Sequence, residues 1–156
     1  YDKKEIIYQK RYLSKLGKDA LSTSLNYEYL ALKISKKIVP IKQLLLDQKI
    51  IAGIGNIYAS EILFDAKISP ICKGKDLSMD NCRYIVNSIR KILKRAIFAR
   101  GSTLKDYVAT DGKIGDFQNN FKVYGKSGQK ILGKPIIKII QYGRSTFYCP
   151  DFQIKK

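Results

Sequence analysis

A glycine pair inside an apolar run, Gly53-Ile54-Gly55, constrains the fold of this chain more than any other feature. The residues on either side read as helix. Upstream, a helix from Pro40 to Asp47 carries Ile41, Leu44 and Leu45 on one face, with Pro40 suited to its first turn. Downstream, Asn56 to Ala66 carries Ile57, Tyr58, Glu61, Leu63 and Phe64. Two glycines flanking one apolar residue let the backbone turn tightly and approach another molecule closely. The segment therefore breaks two helices apart, and Asn56 stands where the second begins. Free N–H groups at such a start form a ready phosphate site. The alternative is a plain helix connection with Asn56 as N-cap. A dinucleotide fingerprint is excluded, because a third glycine and a preceding strand are missing.

Charge points to a partner. With 30 Lys+Arg against 13 Asp+Glu, the net charge is +17. Such a surface attracts polyanions, most often nucleic acid, because each neutralised phosphate releases a counterion. A solvated lysine-rich face is the alternative. A hydrophobic fraction of 45% supports a buried core. No apolar run approaches the roughly 20 residues that span a bilayer, so no membrane is expected. The absence of His and Trp removes histidine catalysis and histidine-ligated metals. Cys72, Cys82 and Cys149 fall at no metal-ligand spacing. An odd cysteine count without a secretory signal fits a reducing cytoplasm, where packing is their expected role.

Along the chain, Tyr1 to Arg11 reads as a linker or strand remnant, and Leu13–Gly17 with Leu21-Ser22 as a loop. Tyr27, Leu30, Ile34 and Ile38 recur at helical spacing. Ser78 suits the N-cap of a long amphipathic helix carrying Tyr84, Ile85, Ile89, Ile92, Leu93, Ala96 and Ile97, ended by Gly101-Ser102-Thr103. From Phe117 onward aromatic, β-branched and glycine residues alternate, and Gly143-Arg144 interrupts two strand-like runs as in a β-hairpin. That part is too small for a large core and must dock on the helices or be stapled. Arg144 at the turn suits phosphate clamping, or is an ordinary turn arginine. Ser102, Thr103, Lys105 and Tyr107, with Asp111-Gly112-Lys113, form a polar loop. Lys36, Lys37 and Lys42 cluster around Pro40, a pattern typical of a wet helix face.

Together these segments resemble the C-terminal half of the formamidopyrimidine-DNA glycosylases of base-excision repair, from about Leu13 to Gln153. The run PIKQLLLDQKIIAGIGNIYASEILFDAKISP is similar to that family's helix–two-turns–helix motif almost residue for residue. LSKLGKDALS resembles its interdomain segment, GSTLKDYVATDGKIGDFQNNFKVYGKSG the loop and strand leading into its zinc finger, and GRSTFYCPDFQ the second half of that finger. The resemblance implies a mostly α fold: a linker remnant over 1–20, a helix–two-turns–helix DNA-binding domain over 21–115, and a β-hairpin finger over 116–156. It implies DNA binding by Asn56, Lys37, Lys42, Arg144 and the turn glycines Gly53 and Gly55. Arg144 is also implied in the elimination step, and Ser102, Thr103, Lys105 and Tyr107 in the loop that closes over a flipped base.

Two departures qualify what is implied. The family's catalytic domain lies upstream and opens with a proline amine nucleophile, whereas this sequence opens Tyr1-Asp2-Lys3-Lys4. The chain alone is therefore expected to be inactive, as a truncated piece, the product of a split gene or a decayed copy. The family finger binds zinc through two C-x-x-C pairs, of which only Cys149 survives. Phe152, Gln129 and Leu132 stand at the other positions, so no zinc and no other cofactor is expected. Leu132 and Phe152 are expected to pack on Ile137 or Ile139 instead. The expected partner is double-stranded DNA containing a damaged base or an abasic site, bound by a monomer. The reading from another class is a structural RNA-binding protein of ribosomal type, since such motifs also bind RNA.

Overall fold

The computed structural model describes residues 3–99 and 120–154. Helix α1 (Lys3–Leu13) is followed by β1 (Lys18–Asp19), α2 (Tyr27–Ile34), α3 (Ile41–Leu46), β2 (Ile51–Ala52), α4 (Asn56–Asp65) and α5 (Met79–Phe98). Four short strands come last: β3 (Lys130–Ile131), β4 (Lys134–Pro135), β5 (Ile137–Gln141) and β6 (Arg144–Tyr148). The fold is thus helix-rich with small strand pairs. β1 pairs with β2 in parallel, while β3–β4 and β5–β6 are antiparallel.

Local chemistry sets the helix ends. The Asn26 side chain accepts from Tyr29 N at the start of α2. Ser78 and Asn81 form a reciprocal capping box at the start of α5. From there Cys82, Ile85, Val86, Ile89, Ile92, Leu93 and Ala96 turn one buried stripe inward. Pro40 occupies the N-cap of α3 rather than its first turn. Helix α4 is the centre of the molecule, buried at every position from Ala59 to Phe64. It packs on α3, α5 and β6 at once. Phe64 also enters a second apolar cluster with Val123, Ile136, Phe147 and Cys149, which fastens the β-rich end to the helices. No helix among the described residues is long and apolar enough to cross a membrane.

Three expectations change. Residues 3–13 form a helix, although none of its side chains is buried. They contain no Gly or Pro, and Glu5 in the first turn with Lys10 and Arg11 in the last complement the helix dipole. Phe121 to Gly125 is a run of turns rather than a strand. Its amides are taken by a side chain of α4, described below, and not by a neighbouring strand. The Gly53–Gly55 segment does turn the chain as expected, while the closest approach of backbone to a glycine within the chain lies elsewhere. Gly53 does need its positive φ of 103° to turn the chain, but a Cβ on Gly55 would meet only open space. At Gly17 a Cβ would sit 2.2 Å from Ile50 O. That approach lets Gly17 N donate to Gln48 O and brings β1 alongside β2. Finally, the apolar substitute for the zinc staple is not the expected one. Leu132 is 75% exposed at the β3–β4 turn, and Phe152 stacks on Phe64 with centroids 4.9 Å apart. Ile136, not Ile137 or Ile139, supplies the buried contact. Ile137 and Ile139 share the more covered face of β5 with buried Gln141, opposite exposed Lys138 and Ile140, and remain only partly buried outside that cluster.

Candidate nucleic-acid interface

The turn between α3 and α4 is fixed by one side chain. The Gln48 amide accepts from Gly53 N and donates to Ile54 O and Leu46 O. Gly55 is the N-cap of α4 and offers no side-chain cap, so Asn56 is the first helical residue. That frees the Asn56 amide for longer-range work.

Asn56 meets the β5–β6 hairpin through Lys42. The Lys42 ammonium donates to Asn56 Oδ1 at 2.6 Å, to Thr146 Oγ1 at 2.7 Å and to Ser145 O at 3.1 Å. Its three hydrogens are all engaged, and the side chain is completely buried. The wet-face reading of Lys42 is thus corrected, because a stem packed inside the fold brings the charge to three acceptors. An ammonium has no acceptor, so the Asn56 oxygen must face it. The Asn56 NH₂ group then donates to Ser145 O at 3.0 Å, with its second hydrogen left over. The network continues inward: Thr146 Oγ1 donates to Gln141 Oε1, and Gln141 Nε2 donates to Pro70 O. Gln43 Nε2 reaches Gln141 O as well. Residues 98 and more positions apart in sequence are locked together at the foot of one hairpin turn.

Arg144 opens β6 immediately after that turn and is exposed. Together with burial, its guanidinium pushes the Lys42 ammonium from the ordinary lysine value of 10.5 down to about 8, burial being the larger cause. Neither cation shares an ion pair with a carboxylate among the described residues, where the pairs are Arg83–Asp80 and Lys91–Asp65. Two cations without a carboxylate partner, beside a helix start with no side-chain cap, give that end of α4 a potential that favours an anion.

The shift has a pH signature. Between pH 8 and 10.5 the unfolded chain binds more protons at Lys42 than the folded one does. The penalty for burying the charge is therefore fully present below pH 8, and it disappears as pH rises toward 10.5. The gap corresponds to about 3 kcal/mol. Relative to a Lys42→Met variant, which lacks the titration, the native chain should gain stability from pH 8 to 10 in urea unfolding. Parallel stability curves would contradict the assignment.

The other candidates are placed as follows. Lys37 is exposed between α2 and α3, where its carbonyl accepts from Lys75 N. Among the described residues no contact joins it to the Lys42–Asn56 group. Ser102, Thr103, Lys105 and Tyr107 lie outside the described residues. The four finger positions do not fit a zinc ion. Cys149 is the single thiol and is buried, Phe152 is engaged with Phe64, and Gln129 and Leu132 are exposed.

One helix residue has an anchoring role that its place in the sequence does not reveal. Glu61, only 2% exposed, accepts the backbone N–H groups of Lys122, Val123 and Tyr124, each at 2.9 Å. A carboxylate in the middle of an apolar helix run was the available signal, because such a group needs a partner when buried.

Comparison with known proteins places these features in context. A family model described as the formamidopyrimidine-DNA glycosylase H2TH domain matches residues 16–108. The formamidopyrimidine-DNA glycosylase of Rickettsia africae is 45% identical over 155 residues, covering 98% of this chain and 57% of its own length. The enzyme of Zymomonas mobilis is 45% identical over 152 residues, covering 97% and 56%. Among solved structures, a complex of the Lactococcus lactis Fpg with DNA containing an abasic site superposes with a TM-score of 0.85. It is 34% identical and covers 97% of this chain and 56% of that one. The MutM (Fpg) protein of Thermus thermophilus gives 0.83 at 35% identity, covering 92% and 56%. The chain spans about half the length of the curated relatives it matches.

Proposed function

The chain belongs to the formamidopyrimidine-DNA glycosylase family, and from that premise we propose that it is the damaged-DNA-binding part of a base-excision glycosylase. Its proposed partner is a duplex containing an oxidised purine or an abasic site. α3, the Gly53–Gly55 turn and α4 are read as the helix–two-turns–helix motif within residues 21–115. The β5–β6 hairpin is read as a finger without zinc within 116–156. The observation that carries the reading is the convergence of Asn56, Lys42 and Arg144 at one helix start, with neither cation paired to a carboxylate among the described residues. The Lactococcus lactis relative bound to abasic-site DNA or to DNA containing Fapy-dG supports the same partner class.

In this arrangement Arg144 and the spare Asn56 N–H take a backbone phosphate directly. Lys42 has no free hydrogen, so it acts by holding Asn56 and the hairpin together and by its charge. Lys37 adds a second phosphate contact from its exposed position. Phosphate contacts position the duplex and carry no sequence information, which suits recognition of a lesion in any sequence.

Binding of an abasic-site duplex, followed by fluorescence anisotropy, tests this. With about five phosphates neutralised, log K should fall against log salt with a slope of roughly −4 to −5. Arg144→Ala should weaken binding by about 1–3 kcal/mol and reduce the slope by about one. A slope near zero, or a folded Arg144→Ala variant with native affinity, would sink the proposal. Equal affinity for structured RNA would favour the RNA-binding reading.

A further inference from the structure

The tip of the β5–β6 hairpin carries a side chain that the fold does not use. Tyr142 and Gly143 are the two turn residues, with φ of 51° and 77°. Both angles are positive, as in the tight turns that match strand twist. The first position of such a turn favours Asn, Asp or Gly, because a Cβ is strained there. A tyrosine is a poor choice on conformational grounds. It also gains nothing from packing, since its ring is 69% exposed and makes no aromatic or hydrogen-bond contact among the described residues. Strain kept at an exposed position is the kind of outlier from which a binding role can be argued.

The surroundings say what the ring meets. Arg144 lies two residues away on the same tip, and the turn stands on the Lys42–Asn56–Ser145 junction. Gln141, the residue before Tyr142, is held by Gln43, Pro70 and Thr146. The tip is therefore anchored from below, and the ring is presented with little further ordering to do on binding. A neutral aromatic beside a phosphate-binding arginine matches the pairing of base stacking with backbone charge used on unstacked nucleic acid. We propose that Tyr142 is a stacking residue, its ring packing on a nucleobase next to the phosphate that Arg144 holds. This deepens the DNA-binding reading above and rests on it.

The test uses the full chain, an abasic-site duplex, and three variants. Tyr142→Asn fits the turn and removes the ring. Its affinity should drop about tenfold or more, with the salt slope unchanged because no charge is lost. Its melting temperature should rise by about 2–4 °C as strain is released. Tyr142→Phe should bind within about twofold of the native chain, since stacking needs the ring and not the hydroxyl. Tyr142→Trp places the sole tryptophan of the chain at the tip, and its emission should be quenched on saturation with the duplex. Native affinity in Tyr142→Asn, or unchanged tryptophan emission at saturation, would overturn the inference while leaving the wider reading intact. Failure of the native chain to bind the duplex at any salt concentration would overturn both.

Discussion

Replacing Lys42 with alanine should cost about 3–5 kcal/mol of stability, while replacing it with methionine should cost far less and impair DNA binding as severely. Three terms decide this. Alanine removes a fully buried four-carbon stem, and large-to-small changes in a core cost about 2–5 kcal/mol. Either substitution strands Asn56 Oδ1 without its ammonium donor, while Ser145 O keeps the Asn56 NH₂ group, at about 1–3 kcal/mol for the acceptor left unmade. Either one also relieves a charge whose burial costs about 3 kcal/mol at neutral pH. For methionine the last two terms nearly cancel, and the stem volume is kept. Its stability should stay within about 2 kcal/mol of native, in line with buried charges replaced by apolar isosteres. Binding responds differently. Without the ammonium, Asn56 keeps one bond to Ser145 O and Gln43 alone ties the hairpin foot to α3, so affinity for an abasic-site duplex should drop about tenfold or more in both variants. Urea unfolding beside anisotropy separates the two effects. A methionine variant with native affinity would show Lys42 to be packing alone.

Lys42 also shows where a sequence can be read and where it cannot. The features written in consecutive residues were legible: the break at Gly53–Gly55, the Ser78 cap, the stripe of α5, and the Gly143 turn between two strands. Each depends on spacing or on a local φ requirement. Asn56 and Arg144 could be singled out one at a time, and the family resemblance put them at one site. The link between them could not be read, because it runs through residues 14 and 103 positions apart. A lysine beside two other lysines gives no sign that it is buried. The same limit explains Gly17, whose demand for a missing Cβ arises only when Ile50 is folded against it. Conversely, Leu132 and Phe152 were rightly seen as apolar at vacated ligand positions. Which apolar partner each would find depended on tertiary packing: Phe152 met Phe64 of α4, and a hairpin turn left Leu132 outside.

Removal of the Glu61 carboxylate should detach the β-rich end from the helices and, with it, the presentation of Arg144. The carboxylate is buried in α4 and receives three backbone N–H groups from Lys122, Val123 and Tyr124. Those residues form turns and have no strand partner to take their amides. Glu61→Ala leaves three donors unpaired, each costing about 1–3 kcal/mol, so a loss of roughly 3–9 kcal/mol is expected. Glu61→Gln should fall between the two, because its single oxygen can serve two of the donors while its NH₂ group opposes the third. The damage should be local at first. Val123 and Phe147 share the second apolar cluster with Phe64 of α4, so loosening 122–124 opens the contact that seats β6. Hydrogen exchange should therefore show the amides of 122–124 and of β6 losing protection in Glu61→Gln, while α5 keeps its own. Affinity for an abasic-site duplex should fall with them, although Glu61 carries negative charge and its loss alone would favour a polyanion. Electrostatics and anchoring thus predict opposite signs. Tighter binding by Glu61→Gln, with β6 still protected, would show that the carboxylate merely opposes the duplex. Weaker binding with β6 exposed is the result expected from its three hydrogen bonds.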